Sequence, residues 1–269
     1  MGTLTFNGER TQHLVTAVPR PGNAHATRGV IGTLRRLFCT LRLAFHFARL
    51  RVRFDGGFAS PAVFHCLEQE GVEYLVAMAS NARLEKRIRR LLGKARMRSK
   101  ITGETATHFG ETRYAAKSWK RKRRVIMKAE VVRLVGRDPR DNPRFVVTNL
   151  SPSPRRVYDI YRERGDVEHR LKELHYGLGF DRTGCTAFWA NAFRVLLTAA
   201  AYVLLQALRQ RLAAAPAATL QVGTLRERLF KLGAQLQVSA RRIVFHLPGA
   251  FPWLALRQAM ALALGASPG

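Results

Sequence analysis

Acidic residues are the scarcest charged groups in this chain. Only 18 Asp and Glu stand against 46 Lys and Arg, a formal net charge of +28 over 269 residues. Such an excess repels itself in the compact state, and it ordinarily exists to meet a polyanion. Nucleic acid is the first candidate partner and an anionic membrane surface the second. Cysteine is also rare: Cys39, Cys66 and Cys185 are odd in number and have no paired spacing. That excludes a disulfide framework and a thiolate zinc site. It fits a reducing compartment, with all three expected as small buried apolar residues. Long apolar runs are missing too. The longest, Val195 to Leu205, is broken by Thr198 and flanked by Arg194 and Gln206. It falls short of the roughly 20 residues a membrane helix needs, so it is expected as a buried helix and no membrane association is foreseen. The opening "MGTLTFNGER" has neither the basic start nor the apolar stretch of a secretory leader, and Gly2 lacks the downstream Ser or Thr of a myristoylation site. No internal repeat is present. A cytoplasmic, nucleoid-associated protein is expected.

What is present is an apolar fraction of 47%, enough for a globular chain with one large domain or two small ones. "GTLTFNGERTQHLVTAV" alternates around a polar turn and predicts two short strands. Val30 to Phe47 has helical apolar spacing with a basic opposite face. "RVRFDGGF" reads as a strand ending at Asp55. "SPAVFHCLEQEG" follows as a helix capped by Ser60, opened by Pro61 and stopped by Gly71, and "VEYLVAMA" as a buried strand. Leu50 to Ala79 is therefore a β-α-β unit of a parallel or mixed sheet. "ARLEKRIRRLLGKARMR" predicts a strongly basic helix, which lies on DNA, on a membrane surface or in solvent. Thr105 to Leu150 predicts several antiparallel strands. A helix follows the prolines at 152 and 154, then a second from about Phe188 to Leu212, a linker at "AAAPAA", a helix near Thr224 to Leu236, a strand "RRIVFHLP" and a last helix "PWLALRQAMALAL".

The stretch "VYDIYRERGDVEHRLKEL", Val157 to Leu174, reads as one helix. Each residue advances a helix by about 100°. Tyr161, Arg164, Glu168 and His175, at offsets 0, 3, 7 and 14, then share one stripe. Val157, Ile160, Val167, Leu171 and Leu174 form the adjoining stripe, expected to pack on a sheet. The other charges, Glu163, Arg170 and Glu173 among them, are expected to face solvent or DNA. On spacing alone the charged stripe equally fits surface ion pairing.

A Tyr, two residues, an Arg, three residues and a Glu resemble the signature of bacterial insertion-sequence transposases of the DDE type. "YRERGDVEHRLKELHYGLGFDRTGCTAFWANAFRVLLTAAAYVLLQALR" and "RVRFDGGFASPAVFHCLEQEGVEYLVAMASNARL" are similar to one subgroup of that family, and the resemblance runs from about Thr3 to Trp253. It implies an α/β, ribonuclease-H-like mixed sheet flanked by helices, with an inserted mostly-β region and a helical C-terminal tail. The matching divisions are 1–80 for the first part of the core, 81–152 for the basic β insertion, 153–213 for the part with the catalytic helix and 214–269 for the tail. It implies phosphodiester cleavage and strand transfer on DNA by a homodimer, with three carboxylates holding two Mg²⁺ or Mn²⁺ ions. By motif, Asp55 and Glu168 take the places of the second and third carboxylates, as catalytic and metal-holding residues. Tyr161 and Arg164 match positions expected to contact DNA near the cut. After six intervening residues the broader family places a Lys, and His175 stands there. A neutral imidazole can hydrogen-bond a phosphate but supplies no fixed charge at pH 7.

The third carboxylate is the departure. Before Asp55 the chain holds a single acidic residue, Glu9, in the polar turn of "FNGER". The resemblance thus implies an N-terminally truncated transposase whose first strand and Asp are missing. The alternative is a catalytically inactive DNA-binding remnant, and a third reading is a basic nucleic-acid-binding protein that matches by chance. The run "KSWKRKRRVIMK" adds Lys117, Lys120, Arg121, Lys122, Arg123 and Arg124 as candidate phosphate contacts, salt-dependent and blind to sequence. Asp181 and Arg182 are read as turn or DNA residues, Trp189 as packing against the preceding helix, and Gly177–Gly179 as too weak for a phosphate loop.

Overall fold

In the computed structural model, residues 8, 10, 164, 212–219 and 266–269 lie outside the description, as do the side chains of 165, 166 and 245. The chain divides into two compact units, Met1–Gly22 with Gly165–Gly269, and Asn23–Arg164. The first begins with the expected hairpin, β1 (Gly2–Leu4) antiparallel to β2 (His13–Thr16).

The Asn23–Arg164 unit opens with α1 (Val30–Ala44), which buries Val30, Leu34 and Phe38. Strand β3 (Arg51–Phe54), α2 (Pro61–Gln69) and β4 (Glu73–Met78) follow, and β3 and β4 are parallel. Ser60 caps α2 by accepting from the Val63 amide at 3.3 Å, with Pro61 in the first turn, where a missing N–H costs nothing. Helix α3 (Ala82–Thr102) starts at Asn81, whose side chain accepts from the Leu84 amide, and ends at Gly103 with φ of 72°. Strands β5 (Ala106–Tyr114), β6 (Arg123–Val132), β7 (Arg140–Asp141) and β8 (Arg144–Thr148) complete an antiparallel set. They do not form a sheet of their own: β8 pairs with β4, so one sheet runs β3-β4-β8-β6-β5, with β7 beside β6.

Alternation sorts the two faces of this sheet. Tyr74, Val76, Val125, Met127 and Val147 meet α1, α2 and α3 on one side. Leu75, Ile126 and Val146 meet α4 (Pro154–Arg162), through Val157, Tyr158 and Ile160, on the other. The result is an α/β unit, a mixed sheet flanked by helices. Gly110 in β5 allows α3 its close approach, because a Cβ there would lie 2.6 Å from Leu91 Cδ1.

The other unit continues with α5 (Gly165–Leu178) and α6 (Phe188–Arg211). The single helix expected over Val157–Leu174 is thus two, with Arg164, at the break, outside the described residues. Gly165 weakens the helix locally by about 1 kcal/mol. The two halves are also buried in different places. Val157 and Ile160 pack on the sheet, whereas Leu174 packs with Leu14, Tyr202 and Val222, and Leu171 is exposed. The apolar periodicity runs through the break and hides it.

Helix α6 has the expected extent but not the expected burial. It is largely exposed: Ala192, Val195, Tyr202 and Gln206 are buried, but Trp189 is 80% exposed and Leu204 71%. The packing role expected for Trp189 is therefore not seen. Among the described residues α6 is one helix long and apolar enough to cross a membrane. The "AAAPAA" linker falls in the undescribed 212–219. A short α7 (Val222–Leu225) runs into a π-helical turn at Arg226–Phe230, and the helix expected to reach Leu236 stops there. The tail then forms an antiparallel hairpin, β9 (Gln235–Val238) with β10 (Ile243–His246), before α8 (Leu254–Ala263). Of the cysteines only Cys66 is buried; all three are free thiols.

Candidate active site and nucleic-acid interface

Asp55 follows the last residue of β3, with its carboxylate exposed. Its Oδ1 accepts from the Gly57 amide at 3.0 Å and so caps the 3₁₀ turn Gly56–Phe58. A side chain at Gly57 would press on Asp55 Oδ1 and on Ala26 Cβ, both a little over 3 Å away, so glycine keeps this corner open. Arg53, two residues earlier, reaches across to α4. Its guanidinium donates to the Ile160 carbonyl at 3.0 Å and pairs with Glu163. A cation at these carbonyls suits the negative end of the helix. It ties the end of α4, where Tyr161 sits, to the strand that delivers Asp55. Sequence reasoning missed Arg53; Glu163, expected in solvent, is its partner.

Tyr161 is half-buried, its ring 5.9 Å from that of Tyr158 and packed on the sheet cluster. Glu168 is exposed on α5 and belongs to the other unit, as does His175. His175 Nδ1 lies 3.5 Å from Asp181 Oδ2, and its ring packs near Phe180. Asp181 thus holds the turn that follows α5. Gly179, with φ of 62°, ends the helix by donating to the His175 carbonyl. The first glycine of the "GLG" run has a packing reason: a Cβ at Gly177 would lie 3.1 Å from the Gly223 amide nitrogen of α7.

Glu173 is not a solvent charge. It accepts from the Val222 amide at 2.9 Å and the Tyr202 hydroxyl at 3.0 Å, and pairs with Arg209 and Arg170. Burial raises its carboxyl, but the bonds from Arg209 and Val222 outweigh that and hold it below the usual carboxylate range. The Tyr202 hydroxyl is pushed up to about 12 by burial and the adjacent carboxylate.

The basic run Lys117–Arg124 covers the turn between β5 and β6 and the first two residues of β6, and its cations split in two. Lys117, Lys120, Arg121 and Lys122 are exposed. Arg123 is 7% exposed, beneath the loop: its Nε and Nη2 each donate to Glu68 at 2.9 Å, and its guanidinium lies over the rings of Phe64 and Trp119. Arg124 binds Glu111 and the carbonyls of Leu150 and Pro152. Both act inside the fold rather than reaching outward. Tyr74 and Arg121 complete the Glu68 hub. Burial raises the Glu68 carboxyl, yet the bonds from Arg123, Arg121 and Tyr74 leave it below its ordinary value. A cavity of about 820 Å³ opens here, lined by Glu68, Arg113, Arg121, Lys122 and Asn149 among others.

Strand direction places these features far apart. β3 and β4 are parallel, Asp55 follows the end of β3, and the cavity lies where β4 begins and β8 ends. A six-residue strand such as β4 spans about 20 Å, so the basic turn and Asp55 stand at opposite ends of one sheet.

The Asn23–Arg164 unit thus joins a mixed sheet flanked by helices to an exposed acidic residue at a strand end and an exposed cluster of cations on one turn. The sequence matches the family model described as "Transposase DDE domain group 1" over residues 4–267. The chain belongs to this family of DDE transposases. No curated protein matches it. The family acts on DNA, as a DNA-cleaving enzyme, and generally uses a divalent metal ion. Divalent ions are held by several hard oxygens. Among the described residues no group of three His, Cys, Asp or Glu side chains could hold one, and Asp55 and Glu168 stand in separate units.

Proposed function

We propose that this chain is an insertion-sequence transposase that binds the element's ends and target DNA as a homodimer in the nucleoid. Its reaction is phosphodiester cleavage and strand transfer on a ribonuclease-H-like core, with Mg²⁺ or Mn²⁺ as the ion. Asp55 and Glu168 are its acidic residues. Tyr161, Arg164 and His175 contact the backbone near the cut, His175 at the position where the broader family has a Lys. Lys117, Lys120, Arg121 and Lys122 contact phosphates further along the duplex, on a turn that Arg123 and Arg124 hold in shape. The observation that carries this reading is the family match over nearly the whole chain, joined to the exposed Asp55 at the end of β3. The test incubates the full chain with Mg²⁺ or Mn²⁺ and DNA bearing the element's ends. Strand cleavage that disappears in Glu168→Gln and Asp55→Asn is the expected result.

A second reading is a DNA-binding protein that does not cut: the exposed Lys117, Lys120, Arg121 and Lys122 would hold phosphates whether or not a strand is cleaved. Tight, salt-dependent DNA binding without cleavage in either metal would select it. Absence of DNA binding would refute both.

A further inference from the structure

The basic helix α3 has a use that the sites above leave open. Its 21 residues bury one stripe, Leu84, Ile88, Leu92, Ala95 and Ser99, and it runs antiparallel along β5. Arg87 donates to Thr112 and to the Arg113 carbonyl near its start, Leu91 lies over Gly110, and the Ser99 hydroxyl donates to the Glu104 carbonyl near its end. The helix is therefore fixed on the core through that stripe. The opposite side presents Arg83, Lys86, Arg90 and Lys94, all exposed and, among the described residues, without an ion-pair partner. Their spacing of three or four residues keeps them on one line about 16 Å long. Glu85, the one acid in the helix, is engaged by the Ser80 hydroxyl.

We infer that this face of α3 is a track for the phosphate backbone of duplex DNA, separate from the 117–124 turn and from Asp55. The proposal rests on the DNA-binding reading above and names a second surface for it. Charge complementarity selects the partner: a row of unpaired cations matches a duplex that carries one negative charge per about 1.7 Å of axis. Phosphates are the contact expected of an evenly spaced cationic row on one helix face, and such contacts position a duplex without reading its sequence. A membrane is disfavoured because Leu84, Ile88 and Leu92 are buried against the sheet, which leaves only Met97 and Ile101, near the end of the helix, as exposed large apolar residues.

The experiment measures binding of the full chain to a random-sequence duplex over a range of salt concentrations. Replacing Arg83, Lys86, Arg90 and Lys94 together by Gln is expected to lower the slope of log affinity against log salt by about 3 to 4, at roughly 0.9 per lost contact. Returning Lys at all four positions should restore the slope, since a phosphate reads charge. Circular dichroism should show α3 still folded in the Gln variant. An unchanged slope overturns the track while leaving DNA binding by the chain intact. Failure of the unaltered chain to bind any duplex overturns the reading beneath it as well. Loss of binding to anionic-lipid vesicles with DNA binding unchanged would replace the track with a membrane surface.

Discussion

The two units reach stability by different means. In Asn23–Arg164 a sheet is covered on both faces, and Val63, Phe64, Leu67, Leu75, Val76, Val125, Ile126 and Val147 are fully buried. In the other unit, smaller clusters around Leu174 and Leu225 hold helices together, and α6 leaves Trp189, Phe193, Leu197 and Leu204 largely exposed. A sheet in register presents two continuous apolar faces, each of which a helix can cover. A bundle of amphipathic helices covers only the stripes that meet. The units share one device, a buried carboxylate that collects cations from distant segments: Glu68 in one, Glu173 in the other.

That contrast can be broken experimentally, most forcefully at the hubs. Glu68→Ala leaves the buried Arg123 guanidinium without its counter-charge and is expected to cost about 3–5 kcal/mol in denaturant unfolding. A loss below 1 kcal/mol would mean that the aromatic rings, not the carboxylate, hold Arg123. Leu174→Ala removes a fully buried side chain and should cost about 3 kcal/mol. Hydrogen exchange should then rise in α5 and α6 amides, and an equal rise in β6 and β8 would mean that the two units unfold together. Acid should weaken both units together. Glu68 and Glu173 are depressed in the folded chain relative to an ordinary 4.5, so their contribution is complete above about pH 4.5. It is lost as pH falls through the lower folded values. Melting temperatures measured downward from pH 5 should show the loss, and Glu68→Gln should flatten it. Smallest is Gly103→Ala, where φ of 72° strains any L side chain by about 1 kcal/mol, read as a shift in denaturant midpoint.

The sequence alone determined the local pieces. The β3-α2-β4 unit was legible because Ser60, Pro61 and Gly71 mark its helix and β-branched runs mark its strands. The hairpin at the start and the antiparallel character of 105–150 were legible for the same reason: periodicity and turn residues act over a few positions. The family was legible too, since its motifs are written in residue types and spacing. Only the tertiary structure decided the rest. It split the expected helix near Arg164, because Val157 and Leu174 are buried in different clusters though they share one periodicity. It turned Glu173 and Arg123 inward, because a charge is buried only where partners far along the chain arrive to meet it. It set Asp55 and the basic turn at opposite ends of one sheet. Strand order comes from pairings such as β4 with β8, which link residues some seventy positions apart, and no local pattern encodes them.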